Sequence, residues 1–272
     1  MNGPDLTTAG NDAGPAGTVP LWVVIPTYDE AENIGPLLTA VAEVLAVARP
    51  AGFRILVVDD GSPDGTAEQA RAAARTLGCV EVLERPAKDG LARAYVAGFR
   101  HALAAGAEVI VEMDADFSHN PAYLPDLLAA LEGADLVLGS RYISGGGVTD
   151  WGLGRRLLSR AGSAYAQRRL GLPVCDLTGG YKCIRREVLE RIGLDAIAAD
   201  GFGFQIEVTA LACRAGFRVL EVPIVFGERR AGASKMSWRI PLEALVLVTR
   251  LRRRLARLDG PPELSEQVTA AV

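Results

Sequence analysis

The stretch "VIVEMDADFSHNP", residues 109–121, is apolar from Val109 to Val111 and then sets two acids, Asp114 and Asp116, two positions apart. The apolar run reads as a buried strand, and carboxylates at the end of one are costly unless something pairs with them. A divalent cation would do so. Both side chains can point the same way from a strand end, and hard oxygen ligands suit Mg2+ or Mn2+, which keep some waters and bridge to substrate phosphates. Ser118 or His119 completes the shell in this reading. Two acids so spaced also occur in ordinary surface loops; the strand in front of them favours the metal.

A second acid pair, Asp59 and Asp60, ends the run "RILVVDD" and is followed by the turn formers of "GSPDG". A helix cap needs one carboxylate, which is the reading for Asp64, whereas two adjacent ones repel. A ribose or a base edge would use the second member of the pair. Farther on, "ERRAGASKMS" (228–237) spaces Arg229, Arg230 and Lys235 among small residues. It reads either as a basic loop that closes over phosphate or as a solvated turn. Metal and basic loop together point to a diphosphate leaving group. The chain has neither G-x-x-x-x-G-K-[ST] nor G-x-G-x-x-G, which argues against P-loop and dinucleotide sites.

The elements that must position these residues alternate in period. Short runs at 21–26, 54–60, 79–85, 108–114 and 134–140 are too continuously apolar for a one-sided sheet. Helical stretches at about 30–48, 64–77, 89–105 and 121–132 separate them. The β-α-β-α order predicts a Rossmann-like α/β domain, a largely parallel sheet with helices on both faces. Ligands of such sheets bind beyond the carboxyl ends of the strands, so both acid pairs fall on one rim. Beyond residue 141 come a Gly-rich loop, an Arg-rich helix (about 153–170), a strand near 179–184, a helix (about 203–215) and a strand over 217–226. No linker-like change of composition divides the chain. The expected organisation is a disordered tail over 1–20, one domain over 21–239, an amphipathic helix over 240–258 and a tail over 259–272.

The bulk properties bound the partners. At 272 residues and 49% hydrophobic content the chain can bury a sizeable core. A net charge of −4 excludes general nucleic-acid binding and requires any anionic partner to be met locally. Cys79, Cys175, Cys183 and Cys213 form no CxxC pair and read as buried thiols of a reducing compartment. Residues 1–20 have no basic n-region and no apolar h-region, so the protein is expected in the cytoplasm. No apolar run reaches the roughly 18 to 20 residues that cross a bilayer. The segment "IPLEALVLVTRLRRRLARL" puts Leu242, Leu245, Val246 and Val248 near one helical face, ahead of Arg250, Arg252, Arg253, Arg254 and Arg257. It reads as a helix resting on an anionic membrane, or as one docked on the core with a basic end.

Six motifs in order, "VVIPTYDEAENI", "ILVVDDGSPDGT", "MDADFSHNP", "GSRYISGG", "DLTGGYKCIRR" and "FGERRAGASKMS", resemble the inverting GT-A glycosyltransferases of family 2, specifically the dolichol-phosphate or polyprenol-phosphate mannose synthases. The resemblance covers about residues 20–250. It implies GDP-mannose as donor, a membrane polyprenyl phosphate as acceptor and Mg2+ or Mn2+ as cofactor. It assigns Pro26, Tyr28, Glu30, Asp59, Asp60, Asp114 and Ala115 to donor binding. Asp114, Asp116 and Ser118 fall to the metal, although Ser118 stands where some members have Gln. Arg229 and Lys235 fall to the basic loop over the diphosphate and, with Asp116, to catalysis; Arg141, Arg155 and Ser159 fall to the acceptor phosphate. The transmembrane helices of longer members are missing from this sequence, so it is similar to the short type that meets the cytoplasmic face of the membrane peripherally, alone or through a separate integral membrane partner. Two alternatives stay open: a family 2 transferase using UDP-glucose and undecaprenyl phosphate, and a nucleotide-sugar-binding module without turnover.

Overall fold

A computed structural model describes residues 21–49, 52–149, 151–199, 201–227 and 240–256. Its first half is built from β1 (Leu21–Thr27), α1 (Ala31–Ala48), β2 (Phe53–Asp59), α2 (Thr66–Leu77), β3 (Val80–Glu84), α3 (Leu91–Ala104), β4 (Val109–Glu112) and α4 (Leu124–Ala130). The second half adds β5 (Leu136–Ser140), β6 (Gly147–Val148), α5 (Leu153–Leu170), β7 (Lys182–Arg185), α6 (Arg186–Ile192), α7 (Phe202–Arg214), β8 (Val219–Pro223), β9 (Val225–Phe226) and α8 (Ile240–Leu255).

Seven strands form one sheet in the order β3-β2-β1-β4-β7-β5-β8, and β6 and β9 pair in a separate ribbon. Neighbours are parallel except around β7, which runs antiparallel to both β4 and β5. All seven residues of β1 are buried, as a central strand covered on both faces requires. Alternate residues feed two cores. Val24, Leu56, Val58 and Ile110 pack with Tyr95, Phe99 and Phe204 on one face. Val23, Ile25, Ile55 and Val111 pack with Ile34, Leu38, Val41 and Leu127 on the other. Helix α3 lies so close to the sheet that a Cβ at Gly98 would come within 2.4 Å of Val24 Cγ1.

Three features differ from the sequence reading. The expected strand over 217–226 is two strands, because the chain leaves the main sheet after Pro223 and pairs Val225–Phe226 with β6. Helix α1, at 18 residues, is long and apolar enough by length and composition to cross a membrane, but Ile34, Leu37, Leu38, Val41 and Leu45 bury against the sheet. Helix α8 buries Val248, Leu251 and Leu255 in the core, and Arg254 pairs with Glu207 of α7, while Arg250, Arg252 and Arg253 are exposed. Its described apolar residues therefore serve docking on the domain. The tails over 1–20 and 259–272, the side chains of Leu242, Leu245 and Val246, and Arg257 lie outside the described residues. All four cysteines are free thiols, but only Cys183 is buried as expected, Cys79, Cys175 and Cys213 keeping partial exposure at or beyond the ends of α2, α5 and α7; desolvation still pushes Cys213 up to about 12.

Candidate active site

Strand order reverses at β1, which lies between β2 and β4, and the crevice beyond the carboxyl ends of these strands is where such sheets bind ligands. The loops after β1, β2 and β4 all open there. Because β7 is antiparallel, its amino end reaches the same rim, and Glu112 at the end of β4 stands in register with Lys182 at the start of β7. The segment "DLTGG" is thereby brought into the site by a strand that runs the other way.

The loops after β1 and β2 are fixed by carboxylates. Asp59 accepts from the Thr27 hydroxyl (2.9 Å), the Ser62 hydroxyl (2.6 Å) and the Ser62 amide (2.9 Å), which spends it on the turn itself. Asp60 is buried against Arg85 at 2.5 Å, with the Asp89 amide 3.4 Å from its other oxygen. Asp64 accepts from the Thr66 amide and hydroxyl at the head of α2 and from the Ala31 amide at the head of α1, capping two helices. Partial burial works against its ionisation, but the Thr66 and Ala31 hydrogen bonds outweigh burial and hold its pKa below the ordinary carboxylate value. Pro26 is buried within β1. Tyr28 is half-buried with the Lys88 ammonium 3.7 Å from its ring centroid, and Glu30 accepts from Asn33 Nδ2 at 2.7 Å.

The loop after β4 is built differently. Asp114 keeps its side chain 36% exposed, and the Tyr95 hydroxyl donates to its Oδ1 at 3.2 Å. The Asp114 amide donates to His119 Nδ1 at 3.0 Å, which leaves the proton of the neutral ring on Nε2, 3.9 Å from Asp114 Oδ2. Burial lowers the pKa of His119, and the carboxylates of Asp114 and Asp116 only partly oppose it. Asp116 is buried and accepts from the Ser118 amide at 3.0 Å, Ala115 is buried beside it, and Phe117 between Asp116 and Ser118 takes a left-handed φ of 64°. A bulky residue there marks strain, which tends to be kept where function demands a fixed loop. Beneath the loop, Lys182 donates to Glu112 at 2.7 Å and to Gln205, all three buried. Desolvation raises the pKa of Glu112 and lowers that of Lys182, and the contact between them opposes both shifts.

Among the described residues no group of three His, Cys, Asp or Glu converges on a metal position. The donor set nevertheless fits a hard divalent ion: Asp114 and Asp116 supply carboxylate oxygen, and the remaining positions fall to water and a diphosphate, as is usual for Mg2+. Ser118 is buried in the same loop, with its amide spent on Asp116. Arg229, Arg230 and Lys235 lie outside the described residues. The strand that leads to them ends at the rim, where the Gly227 amide donates to the Ser118 carbonyl at 3.2 Å.

The three residues assigned to the acceptor phosphate gather beside this loop. The guanidinium groups of Arg141 and Arg155 lie 5.8 and 4.0 Å from the centre of the same Trp151 ring. Ser159 accepts from the Tyr142 hydroxyl at 2.6 Å. Arg141 is committed within the protein: Nε and Nη2 form a bidentate pair with buried Asp176 at 2.7 and 2.6 Å, and Nη2 also reaches Thr178 at 2.7 Å. Arg155 Nε, by contrast, is buried without a hydrogen-bond partner among the described residues. Phe226 joins the two halves of the site, 5.4 Å from His119, 5.6 Å from Trp151 and 5.4 Å from the Arg141 guanidinium. Gly146 lets the loop after β5 fold back, since a Cβ there would stand 2.5 Å from the Ser140 carbonyl.

Sequence reasoning assigned no role to Tyr95, Trp151, Asp176, Thr178 or Phe226. Asp176 and Thr178 carried a signal, since both lie in the quoted "DLTGGYKCIRR". Tyr95 and Trp151 carried none, because only the packing of α3 and the start of α5 brings them to the rim.

The family model described as "Glycosyl transferase family 2" matches residues 22–193. An undecaprenyl-phosphate mannosyltransferase of Micrococcus luteus is 48% identical over 231 residues, covering 84% of this chain and 91% of that protein. A polyprenol monophosphomannose synthase of Mycolicibacterium smegmatis is 46% identical over 242 residues, covering 88% and 89%. Among solved structures, a mannosyltransferase from Pyrobaculum calidifontis in complex with GDP-Man and Mn2+ is similar at a TM-score of 0.60 and 24% identity, covering 94% of this chain and 69% of that one; this likeness speaks to the fold.

Proposed function

This chain belongs to glycosyl transferase family 2 and has the GT-A fold, and on that premise we propose that it transfers mannose from GDP-mannose to a polyprenyl phosphate, with inversion, giving polyprenyl phosphate mannose and GDP. The observation that carries the reading is the anion site beside the acid loop: Arg155, with its buried unpartnered Nε, and Arg141 share Trp151, and Phe226 ties that ring to His119. A carboxylate pair next to two guanidinium groups suits a diphosphate leaving group on one side and a phosphate nucleophile on the other. The two relatives that cover most of the chain, named for mannose transfer to undecaprenyl phosphate and for polyprenol monophosphomannose synthesis, support it.

A phosphate oxygen is already anionic near neutral pH, so attack on the anomeric carbon needs no strong general base. The chain's own task is alignment. Arg155 and Ser159 hold the acceptor phosphate, and Arg141, clamped by Asp176, adds charge from a fixed position. Tyr95 and His119 orient Asp114, while Ser118 and the left-handed Phe117 fix Asp116. Asp114 and Asp116 would hold Mg2+ or Mn2+, which when bound would supply positive charge against the departing diphosphate. Arg229 and Lys235 complete that neutralisation from the segment after Gly227. Pro26, Tyr28, Glu30 and Asp60 bound the donor side. The protein works at the cytoplasmic face of the membrane as a peripheral enzyme, and an integral membrane partner is compatible with this arrangement.

Labelled GDP-mannose incubated with polyprenyl phosphate and Mg2+ or Mn2+ tests the reading: label is expected in the lipid extract, with none from UDP-glucose. Transfer from UDP-glucose instead overturns the donor, and nucleotide-sugar binding without transfer overturns catalysis. Arg155→Ala tests the acceptor site, with the acceptor KM raised roughly tenfold to a hundredfold and GDP-mannose affinity unchanged. Loss of GDP-mannose affinity would move Arg155 to the donor side.

A further inference from the structure

At the acceptor end of the site, Tyr142 joins the loop after β5 to helix α5. It follows Arg141 in the chain, is half-buried, and holds its ring 5.1 Å from the Arg141 guanidinium, within the range of a cation–π contact. Its hydroxyl meets Ser159 Oγ at 2.6 Å. The direction of that bond follows from the two groups. A phenol is a stronger acid than an aliphatic alcohol, so Tyr142 donates and Ser159 accepts. Burial raises the pKa of Tyr142 and the Arg141 charge only partly opposes it, so the phenol keeps the proton that it shares. A serine hydroxyl has one proton and two lone pairs, and once a lone pair is given to Tyr142 the serine proton must point elsewhere. Arg155 lies one turn earlier on the same side of α5, with its Nε buried and without a partner among the described residues. A phosphate oxygen seated between these two residues would accept from both.

We propose that Tyr142 is a positioning residue for the acceptor: it fixes the rotamer of Ser159 and turns the Ser159 proton toward the phosphate that Arg155 also binds. A hydroxyl that already accepts a hydrogen bond is polarised and donates more strongly, so the contact aims Ser159 and sharpens it at once. The ring of Tyr142 is held in turn by Arg141, which Asp176 clamps from the other side, so the aim rests on a fixed group. A second hydroxyl tie leaves α5 one turn farther on, where Ser163 Oγ lies 3.2 Å from Thr178 Oγ1. Ser163 is buried and two turns from Arg155, so this tie anchors the helix without facing the phosphate. The inference deepens the proposed function and rests on it for the identity of the acceptor.

The test uses the full chain, GDP-mannose and a short prenyl phosphate soluble in water. Tyr142→Phe keeps the ring beside Arg141 and removes only the hydroxyl; it should raise the acceptor KM about twofold to tenfold and leave the KM of GDP-mannose unchanged. Ser159→Ala should raise the acceptor KM at least as much. Adding Tyr142→Phe to Ser159→Ala should cost nothing further, because the phenol then has no serine to aim. Ser163→Ala removes the other tie of the same helix and should leave the acceptor KM as it is, which separates the aiming of Ser159 from a general loosening of α5. Additive effects of Tyr142→Phe and Ser159→Ala overturn the proposal. So does an unchanged acceptor KM in Tyr142→Phe, or a rise in Ser163→Ala equal to the rise in Tyr142→Phe. Calorimetry with the prenyl phosphate alone keeps the inference apart from the function on which it rests. A wild type that binds the prenyl phosphate and transfers no mannose overturns the function, while the same variants, read as dissociation constants, still decide the role of Tyr142. A wild type that does not bind the prenyl phosphate overturns the acceptor site and this proposal with it.

Discussion

The two acid pairs at the rim look alike in sequence and are put to different uses. Asp59 and Asp60 close β2 and turn toward the protein: one clamps β1 to the following turn through Thr27 and Ser62, the other is buried against Arg85. Asp114 and Asp116 follow β4 and are held by side chains and amides of their own loop and of α3. Tyr95 and His119 fix the first from the side and behind, its side chain stays 36% exposed, and the Ser118 amide at 3.0 Å anchors the second. The backbone explains the difference. Adjacent residues leaving the extended β2 diverge, so each of the first pair meets its own neighbour, whereas Asp114 and Asp116 lie past the end of β4, in a bend that the left-handed Phe117 and the Ser118 amide fix.

Substitution at the β4 pair should give the largest effect. Asp116→Ala is expected to lower transfer about a thousandfold, roughly 4 kcal/mol of barrier, with the melting temperature nearly unchanged. Chelation with EDTA should have a comparable effect on the wild type. Activity that survives either treatment breaks the comparison at its functional end, because the pair would then hold no ion that matters.

Asp59→Ala should show the reverse pattern. It leaves the buried Thr27 hydroxyl and both donors of the half-buried Ser62 without that acceptor, a loss of about 1–3 kcal/mol in stability. Denaturant unfolding measures that loss, and the protein that remains folded should transfer mannose well above the level of Asp116→Ala. An unchanged midpoint together with abolished donor binding would show that Asp59 serves the nucleotide more than the turn, and the two pairs would become alike.

Sequence made one side of this contrast readable and hid the other. Continuous apolar runs followed by turn formers disclosed β1, β2 and β4 and the rim they share, because burial on both faces leaves that pattern regardless of tertiary detail. The Arg-rich helix at 153–170 was equally plain. What an acid touches is a tertiary fact. The partner of Asp60 lies 25 residues on and the partner of Arg141 35 residues on, and the second pairing depends on β7 running antiparallel, which no local period reveals. The ion pair of Lys182 with Glu112 was hidden for the same reason, as was the exit of the chain from the main sheet after Pro223.

Asp64 offers the smallest and sharpest test, because it lies in the same loop as the β2 pair and is partly open to water, yet it has a purely architectural task. It joins the heads of α1 and α2, and Asp64→Ala should cost about 1 kcal/mol, the usual value of a helix cap. Its folded pKa lies below the unfolded one, so its contribution is fully present above the unfolded value near 3.8 and is lost as pH falls through the folded value. The difference in stability between wild type and Asp64→Ala should therefore be constant from neutral pH down to about pH 5 and should shrink as acid is added below pH 4. Unfolding midpoints measured across that range decide it. A difference that instead grows on acidification would mean that the carboxyl serves better when protonated, and the cap would have to be replaced by a neutral hydrogen bond that a Ser substitution could reproduce.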